Sequence, residues 1–346
     1  MRIGILIPRL VNCGPVNVAL SIVKSLQSQE KLNFTLIVVH PDHNDNDLVR
    51  SLELEMKIPI FFLKGSDKVS ILSNLCKNLD VVHSHGYYPD KLISKINIKK
   101  ISTIHCMFYK DYISEYGIFK GLVASFLHFN FLNKGDFSHI VGCSQSVSLY
   151  INNFLKKCNI VFINNGVNQN IYSVIDPLIR KQRRKKLNID SYSRVFIYSG
   201  RLIRRKRVPE LLDIFEKKFS DKDVLLVAGE GDELEKCLEK KYKNVIFLGQ
   251  VSNPEFYYQC SDYVISNSSA EGYPMSIIEA VSCGCKAVLS NIPSHCEFIN
   301  NNKSFACLIE NFKFLNEEKV FLRQENELKK LSSDVMAFNY YNLYKG

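Results

Sequence analysis

The sequence predicts an α/β fold with two doubly wound parallel-sheet domains. In the first half of the chain, short apolar runs alternate with helical patterns, which is typical of parallel strands buried on both faces. The alternation stops near Gly166 and restarts at Arg194. The 346 residues are also enough for two domains of about 150 residues each.

The predicted elements follow one another in a strand–helix order. Seven runs in the first half have the character of strands: 3–7, 34–39, 58–63, 80–83, 101–104, 140–142 and 160–163. Five more follow in the second half: 194–199, 224–228, 245–248, 263–265 and 287–289. Helical patterns cover 18–26, 208–219, 274–281 and the final stretch 317–344. Alternation of this kind predicts helices on both faces of each sheet.

The chain divides at its polar connections. We predict an N-terminal domain over residues 1–168, a second domain over 169–325, and a helical segment over 326–346 that packs back on the first domain. Residues 169–192 form the connection, and six of the seven residues from Arg180 to Lys186 are basic. Such a charge run is usually a solvated face. Ligands of open parallel sheets bind beyond the carboxyl ends of the strands. We therefore expect the two sheets to face each other across a cleft lined by those loops.

The composition limits the partners and the compartment. The net charge of +10 suits phosphate-bearing ligands, anionic lipid or nucleic acid, although a lysine-rich composition without a functional focus explains it equally well. The charge is not concentrated in one arm, so we expect no nucleic-acid partner. No stretch reaches 18 apolar residues, and the apolar run at residues 3–7 is too short for a secretory signal.

The cysteines indicate a reducing compartment rather than a metal site. There are eleven cysteines and no C-x-x-C pair. Cys283, Cys285 and Cys296 lie near His295, but their spacing fits no common zinc pattern. We expect reduced cysteines in a cytoplasmic protein, and no bound metal.

A basic segment follows the first strand of the second half. It reads Ser199-Gly200-Arg201-Leu202, and Lys206 lies five residues beyond Arg201. Gly200 allows a tight turn. A guanidinium that binds bidentately and an ammonium that acts as a point charge together suit a diphosphate. The alternative is that both residues are surface cations, since three further arginines lie at positions 204, 205 and 207.

An acidic segment follows the predicted strand at 263–265. It contains Glu271, Gly272, Tyr273 and Pro274, and the predicted helix then carries Glu279. The free N–H groups at a helix start favour a phosphate. Carboxylates such as Glu279 accept hydrogen bonds from vicinal hydroxyls of a sugar. The alternative role of such an acid is to offset the helix dipole.

Taken in order, these motifs resemble the retaining glycosyltransferase family 4, which has the GT-B fold of two Rossmann-like domains. They are S-G-R-L-x-x-x-K, G-E-G at 229–231, F-L-G at 247–249, E-G-Y-P-x-x-x-x-E-A and C-G at 283–284. The glutamates at 271 and 279 resemble the family's E-x7-E motif. The first half adds Gly14, the stretch 83–86, the stretch 103–105, Ser144 and the stretch 165–167.

The resemblance implies a role for each matching residue. Arg201 and Lys206 would hold the donor diphosphate, and Glu279 would bind the ribose. Glu271 would contact the donor sugar, and His105 would approach that sugar from the other domain. Binding of the nucleotide sugar is also implied at Gly200, Gly272, Tyr273 and Pro274, and Gly14 would lie where the backbone meets the donor or the acceptor. Two departures concern the acceptor-side loop, where Cys13 replaces a frequent glycine, and Ser294, which replaces another before Glu297.

The implied activity is transfer of a hexose-type sugar from a nucleoside diphosphate to an acceptor hydroxyl, with retention and without a metal. The looser resemblance is to bacterial enzymes that build O-antigen, capsule or another surface polysaccharide. Two alternatives remain at this point. One is a non-catalytic nucleotide-sugar-binding subunit, and the other is a sugar-nucleotide epimerase of similar architecture.

The first half also suggests a membrane contact. The apolar stretch from Ile118 to Leu132 carries Lys120 and is followed by Lys134, a mixture that suits an interfacial helix. Further aromatic and basic residues precede it, namely Phe108, Tyr109, Lys110, Tyr112 and Tyr116. We expect a lipid-linked saccharide acceptor and peripheral contact with the inner face of the membrane; a core helix is the alternative. His83 and His85 are expected to be satisfied histidines at a strand end.

Overall fold

The computed structural model describes residues 1–346 apart from 28–30, 42–43, 45–48, 51, 53–55, 57, 156–157, 190–191, 193 and 313–327. The chain forms two compact domains. Domain 1 comprises Met1–Gly166 and Ser332–Gly346, and domain 2 comprises Val167–Leu331. Each domain contains one parallel sheet, as the sequence predicts.

Domain 1 contains a seven-stranded sheet in the order β3-β2-β1-β4-β5-β6-β7. The strands are β1 (Arg2–Ile7), β2 (Asn33–Val38), β3 (Ile60–Phe62), β4 (Val81–His85), β5 (Lys99–Ile104), β6 (His139–Gly142) and β7 (Ile160–Phe162). The described helices up to Gly166 are α1 (Gly14–Leu26), α2 (Lys68–Cys76), α3 (Tyr87–Ile93), α4 (Phe108–Tyr116), α5 (Ile118–Lys134) and α6 (Gln145–Asn152). The central strands are buried on both faces, because helices cover both sides of the sheet; β1 is largely apolar, whereas β4 and β5 also bury polar side chains.

Domain 2 repeats this plan with six strands in the order β10-β9-β8-β11-β12-β13. The strands are β8 (Arg194–Ser199), β9 (Asp223–Ala228), β10 (Val245–Gly249), β11 (Tyr263–Ser266), β12 (Lys286–Leu289) and β13 (Ala306–Leu308). The helices described are α7 (Pro177–Lys186), α8 (Val208–Lys218), α9 (Leu234–Leu238), α10 (Pro254–Cys260), α11 (Met275–Ser282) and α12 (Pro293–Asn301). Two 3-10 turns occupy Arg204–Lys206 and Ile309–Asn311.

In each sheet the first strand is a switch point, because the strands that follow it along the chain are added first on one side of it and then on the other. In domain 1, β1 pairs with β2 on one side and β4 on the other. In domain 2, β8 pairs with β9 and β11 in the same way. Such a switch point leaves a crevice beyond the carboxyl ends of the two strands, where ligands of doubly wound sheets bind. The loops after β8 and β11 are therefore where a ligand of domain 2 is expected.

The chain crosses between the domains at two adjacent points. The sequence places the boundaries after residues 168 and 325, whereas the structure divides the chain after Gly166 and Leu331. Gly166 packs so closely against Ser332 that a Cβ on Gly166 would lie 2.2 Å from the Ser332 carbonyl oxygen. Val167 N–H donates to the Leu331 carbonyl at 2.8 Å. This close pairing of main chains sets the boundary, and side-chain patterns do not reveal it.

The predicted polar connection is in part a docked helix. Residues 177–186 form α7, and one of its faces packs, partly buried, against the end of α10 and the residues just before β11. Arg180 and Arg184 each donate to Asp262 at 2.6 Å, and the Arg183 guanidinium lies 4.8 Å from the centre of the Phe256 ring. The prediction of a solvated charge run is wrong for these arginines and holds for the exposed lysines 181, 185 and 186.

The end of the chain belongs to domain 1. Helix α13 (Ser333–Lys345) packs along α1, where Ser25 Oγ donates to Ser333 Oγ at 3.2 Å. Its buried face carries Tyr340 and Tyr344. Residues 317–327 of the predicted helix over 317–344 lie outside the described residues. The prediction of one continuous helix is wrong at residues 330–332, where a turn interrupts the helix, so that α13 begins separately after the N-cap residue Ser332.

Candidate functional site

The loops at the switch point of domain 2 are held together by main-chain hydrogen bonds. Gly200 N–H donates to the Ala228 carbonyl at 2.9 Å, and Gly229 N–H donates to the Gly249 carbonyl at 2.7 Å. A Cβ on Gly229 would lie 2.0 Å from the Gly200 carbonyl oxygen, so only glycine fits between the loops after β8 and β9. The G-E-G motif therefore fixes the position of the loop that begins at Gly200.

A buried carboxylate lies at the centre of this site. Glu271, in the loop after β11, is 6% exposed. Its Oε1 accepts from Lys206 Nζ at 2.5 Å, and its Oε2 accepts from Arg205 Nη1 at 3.1 Å. The same Arg205 nitrogen donates to the Ala270 carbonyl at 2.7 Å. The loop after β11 is thereby tied to the 3-10 turn that carries both cations.

The electrostatics of Glu271 follow from this geometry. Burial opposes ionisation of the carboxyl, but Lys206 and Arg205 outweigh it and lower the pKa of Glu271 to about 2. The carboxylate is thus charged at any physiological pH. Part of the positive charge of Lys206 is already neutralised by Glu271, so Lys206 is less available for a phosphate than the sequence suggests.

Arg201 differs from Arg205 and Lys206 because its side chain is exposed and forms no ion pair with a described residue. Its carbonyl accepts from Tyr198 Oη at 2.9 Å, which fixes the main chain just after Gly200. A guanidinium without an acidic partner, held at the mouth of a parallel sheet, retains its five donors for an anionic ligand.

Helix α11 begins directly after the acidic loop. Pro274 is the N-cap residue, and Gly272 and Tyr273 before it are buried. Main-chain hydrogen bonds within the described residues engage neither Met275 N–H nor Ser276 N–H. These orphan donors, and the positive end of the helix dipole, favour an anion near Pro274.

Glu279 lies on the first turns of α11 in an aromatic environment. Its Oε2 accepts from Tyr258 Oη at 3.1 Å. Burial raises the pKa of Glu279 to about 7; the hydroxyls of Tyr258 and Tyr172 partly offset this rise, and the nearby Glu255 adds to it. The carboxyl is therefore near half-ionised at neutral pH, and any ligand hydroxyl that donates to it would favour the ionised form.

Helix α12 carries two buried polar side chains, Ser294 and His295, and His295 interacts electrostatically with Glu271. Ser294 is fully buried, and its Oγ has no hydrogen-bond partner in the described chain. His295 Nδ1 lies 3.0 Å from Ser290 Oγ. Burial lowers the pKa of His295 to about 4, although the Glu271 charge acts in the opposite direction. In the described part of the chain no group of three His, Cys, Asp or Glu residues is placed to hold a metal ion.

A second group of candidate residues lies at the carboxyl ends of β4 and β5 in domain 1. His83 is satisfied on both ring nitrogens, by Tyr344 Oη at 2.8 Å and by Thr103 Oγ1 at 2.7 Å. His83 is thus a structural histidine, as expected. His85 differs, because only its Nδ1 is engaged, 2.9 Å from Nε2 of the partly exposed His105.

Gly14 is the first residue of α1 and follows the exposed N-cap residue Cys13. It therefore lies in the loop region beyond β1, at the switch point of domain 1. The structure places Arg201, Lys206, Glu271, Gly272, Tyr273, Pro274 and Glu279 on neighbouring loops and α11 in domain 2, and Gly14 and His105 in domain 1.

The helix predicted as either interfacial or core combines both characters. One face of α5 is buried, through residues that include Gly121, Ser125, His128, Phe129 and Leu132. On the other face Phe119 is 80% exposed and Phe126 is 65% exposed, and Ile118, Leu122 and Val123 are also exposed. By contrast, Phe108 is buried against His128, so it belongs to the core. No helix among the described residues is long and apolar enough to cross a membrane.

Comparison with known proteins shows that the chain is similar to glycosyltransferases. Residues 179–319 match the family model described as glycosyl transferases group 1. The O-antigen biosynthesis glycosyltransferase WclY of Escherichia coli is 25% identical, over 99% of this chain and 98% of its own length. The capsular polysaccharide biosynthesis glycosyltransferase CapH of Staphylococcus aureus is 27% identical, over 64% of this chain and 62% of its own length.

A similar fold occurs in the crystal structure of Anabaena HepE in complex with UDP and glucose. The two structures share a TM-score of 0.80 and 15% identity over 100% of this chain and 99% of HepE. The chain therefore has the GT-B fold. The match of residues 179–319 to the group 1 model and the similarity to these relatives identify the chain as a glycosyltransferase.

One residue of the site was not singled out from the sequence. Arg205 is one of five basic residues between positions 201 and 207, and the sequence offers no means of telling which of them binds Glu271. The 3-10 turn makes the distinction, because it directs Arg205 and Lys206 toward the loop after β11 and leaves Arg204 exposed.

Proposed function

We propose that this glycosyltransferase transfers a sugar from a nucleoside-diphosphate sugar to an acceptor hydroxyl, with retention at the anomeric carbon. The observation that carries the proposal is the grouping of cations at the switch point of domain 2. Among the described residues Arg201 has no acidic partner, Lys206 is shared with Glu271, and main-chain hydrogen bonds engage neither of the first two N–H groups of α11. Relatives that build surface polysaccharides, and a structural neighbour that binds UDP, support this donor class.

In the proposed reaction, the bond between the anomeric carbon and the diphosphate oxygen breaks while a bond to the acceptor oxygen forms. The proton of the acceptor hydroxyl passes to the departing diphosphate on the same face of the sugar. Negative charge grows on the diphosphate in the transition state, and Arg201, Lys206 and the start of α11 would stabilise it. These groups supply the positive charge, so the proposal requires no metal ion.

The remaining residues are assigned to the sugar and the ribose. Glu271 would accept hydrogen bonds from donor-sugar hydroxyls, because its carboxylate is ionised and held rigidly by two cations. Glu279 would accept from the ribose hydroxyls, and His105 would contact a hydroxyl of the donor sugar. Gly14 and Gly272 to Pro274 would contribute main-chain contacts.

A panel of nucleotide sugars tests the donor class. Thermal unfolding would be measured with UDP, GDP and ADP and with their common sugars, because a ligand of the folded state must raise the melting temperature. The sugar nucleotide that stabilises the protein would then be incubated with candidate acceptors in EDTA. Sugar transfer under these conditions supports the proposal. Release of an isomerised sugar nucleotide without acceptor would instead indicate an epimerase, and binding without any turnover a non-catalytic subunit.

The pH dependence of donor binding tests the role of Glu279. Its pKa is raised to about 7, and ribose hydroxyls would bind the ionised form, so affinity is expected to increase as the pH rises. Between pH 6 and pH 8 the ionised fraction rises about tenfold, which sets the largest gain in affinity. Calorimetry measures this affinity at each pH. The sugar nucleotide is the suitable ligand, because its diphosphate does not titrate between pH 6 and pH 8. Glu279→Gln should bind more weakly at pH 8 and show a flat profile; the same slope in both proteins would remove Glu279 from the ribose site.

For the acceptor, we propose a lipid-linked saccharide in O-antigen, capsule or related polysaccharide synthesis, reached by peripheral contact with the inner face of the membrane. The named activities of WclY and CapH support the polysaccharide. The exposed apolar face of α5 and the net charge of +10 support the contact, since such a helix can enter the interface while cations attract anionic headgroups.

Sedimentation with liposomes tests this contact. Binding should increase with the fraction of anionic lipid and fall with salt, because charges are screened over about 10 Å at 0.1 M. The double substitution Phe119→Ser and Phe126→Ser should reduce binding at least about tenfold, since each ring would lose its burial in the interface. Phe338→Ser is the control, because Phe338 is 59% exposed on α13 of the same domain. If wild type remains in the supernatant with strongly anionic vesicles at low salt, the proposed membrane contact is wrong and a soluble acceptor becomes the better proposal.

A further inference from the structure

Two histidines of domain 1 share one hydrogen bond at the carboxyl ends of β4 and β5. His85 Nδ1 lies 2.9 Å from His105 Nε2, and the two rings are stacked with their centres 5.2 Å apart. His85 is fully buried, and its remaining nitrogen, Nε2, has no hydrogen-bond partner within the described residues. His105 is partly exposed, and its Nδ1 has no partner there either.

Both rings are neutral. Burial lowers the pKa of His105 to about 3 and holds the pKa of His85 well below its usual range. A neutral imidazole carries one proton, so the shared hydrogen bond has two arrangements. Either His85 donates from Nδ1 and His105 carries its proton on Nδ1, or His105 donates from Nε2 and His85 carries its proton on Nε2.

The unpartnered nitrogen of His85 distinguishes the two arrangements. In the second arrangement a buried N–H would have no acceptor, and orphaned buried N–H groups are rare in proteins. In the first arrangement the unpartnered atom carries only a lone pair. The first arrangement is therefore favoured: His85 Nδ1–H donates to His105 Nε2.

We propose that His85 is a positioning residue that fixes His105 as the Nδ1–H tautomer, so that His105 donates a hydrogen bond to an oxygen of the donor substrate. This inference rests on the proposed function, in which His105 contacts the donor sugar. It also specifies the chemistry of that contact. With Nε2 engaged by His85 and Nδ1 protonated, His105 has no free lone pair and does not act as a general base. The acceptor proton then does not pass to His105, in keeping with its proposed transfer to the diphosphate oxygen.

The tautomer can be measured without any substrate. In the wild-type protein labelled with 15N-histidine, long-range 1H–15N correlations distinguish an Nδ1–H ring from an Nε2–H ring, and the His105→Gln variant assigns the His105 signals. We expect the proton of His105 on Nδ1. A His105 proton on Nε2 overturns the proposal. Failure to detect sugar transfer would leave this spectrum unchanged and would count against the proposed function alone.

Two substitutions of His85 separate positioning from packing. In His85→Asn the side-chain amide keeps an N–H donor near the place of Nδ1, whereas His85→Leu removes the donor. We expect kcat to fall about tenfold in the leucine variant and to stay within about threefold in the asparagine variant. The affinity for the bare nucleoside diphosphate should be unchanged in both, because that ligand lacks the sugar. Equal losses of kcat in the two variants overturn the positioning role. If the leucine variant does not fold, the tautomer of His105 is measured in the asparagine variant. A proton on Nδ1 of His105 supports the positioning role, and a proton on Nε2 overturns it.

Discussion

Glu271→Ala is expected to abolish most sugar transfer and to destabilise domain 2, while leaving the binding of bare nucleoside diphosphate nearly intact. The loss of turnover should be at least about hundredfold, because a fixed charge that acts on the reacting sugar is removed. The free energy of unfolding should fall by about 3 kcal/mol, since two largely buried cations lose their partner. The lowered pKa of Glu271 leads to a similar figure, about 1.4 kcal/mol per unit below its ordinary value of 4.5.

The contribution of Glu271 to stability should depend on pH, and the direction of that dependence follows from its lowered pKa. A carboxyl whose pKa is depressed in the folded state contributes its full stability above pH 4.5 and loses it as the pH falls toward 2. Denaturant unfolding of wild type and variant should therefore differ at pH 7 and converge toward pH 2. Asp221→Ala is the control, because the Asp221–Lys243 ion pair is exposed and should leave stability and turnover unchanged. If Glu271→Ala lost affinity for nucleoside diphosphate by the same factor as it lost turnover, Glu271 would be assigned to the nucleotide instead.

Arg201→Ala is expected to weaken the binding of nucleoside diphosphate about tenfold or more. A charge-assisted hydrogen bond contributes roughly 1.5–3 kcal/mol, and one factor of ten in affinity corresponds to about 1.4 kcal/mol. Stability should not change, because the side chain is exposed and has no ion-pair partner among the described residues. Titration calorimetry measures the affinity, and thermal unfolding measures the stability.

Arg204→Ala provides the matched control for this result. Arg204 is also an exposed arginine of the same basic segment, but it lies on the 3-10 turn away from Glu271. Its removal lowers the net charge by the same amount and should leave the affinity within about twofold. Equal effects of the two substitutions would mean that the segment attracts anions only through its general charge. The diphosphate would then have no specific contact with Arg201.

The fold could be predicted from the sequence because its strands are buried on both faces. Such strands are continuous apolar runs, and the run at 194–199 coincides with β8. The strand at Ala306–Leu308 was not predicted, because three residues at the edge of a sheet give too short a pattern. Helix α7 was taken for a loop because its arginines bind Asp262 rather than solvent, and a charge run does not reveal its partner.

The site could be predicted from the sequence only where its motifs mark turns and the starts of helices. Gly200 and Pro274 show where the main chain turns, so Arg201 and Glu279 could be placed near them. The ion pairs of Glu271 depend on how two loops pack, and the sequence does not contain that distance. The pairing of His85 with His105 was missed for the same reason, since it joins the last residue of β4 to the residue that follows β5.

The most direct measurement of the central claim compares nucleoside diphosphates with the corresponding monophosphates by calorimetry. The account predicts that one diphosphate binds to a single site and that its monophosphate binds at least about tenfold more weakly, because Arg201 and the start of α11 would lose a charged phosphate group. Equal affinities for the two ligands, or no binding of any diphosphate to the folded protein, would contradict a diphosphate site at the switch point of domain 2.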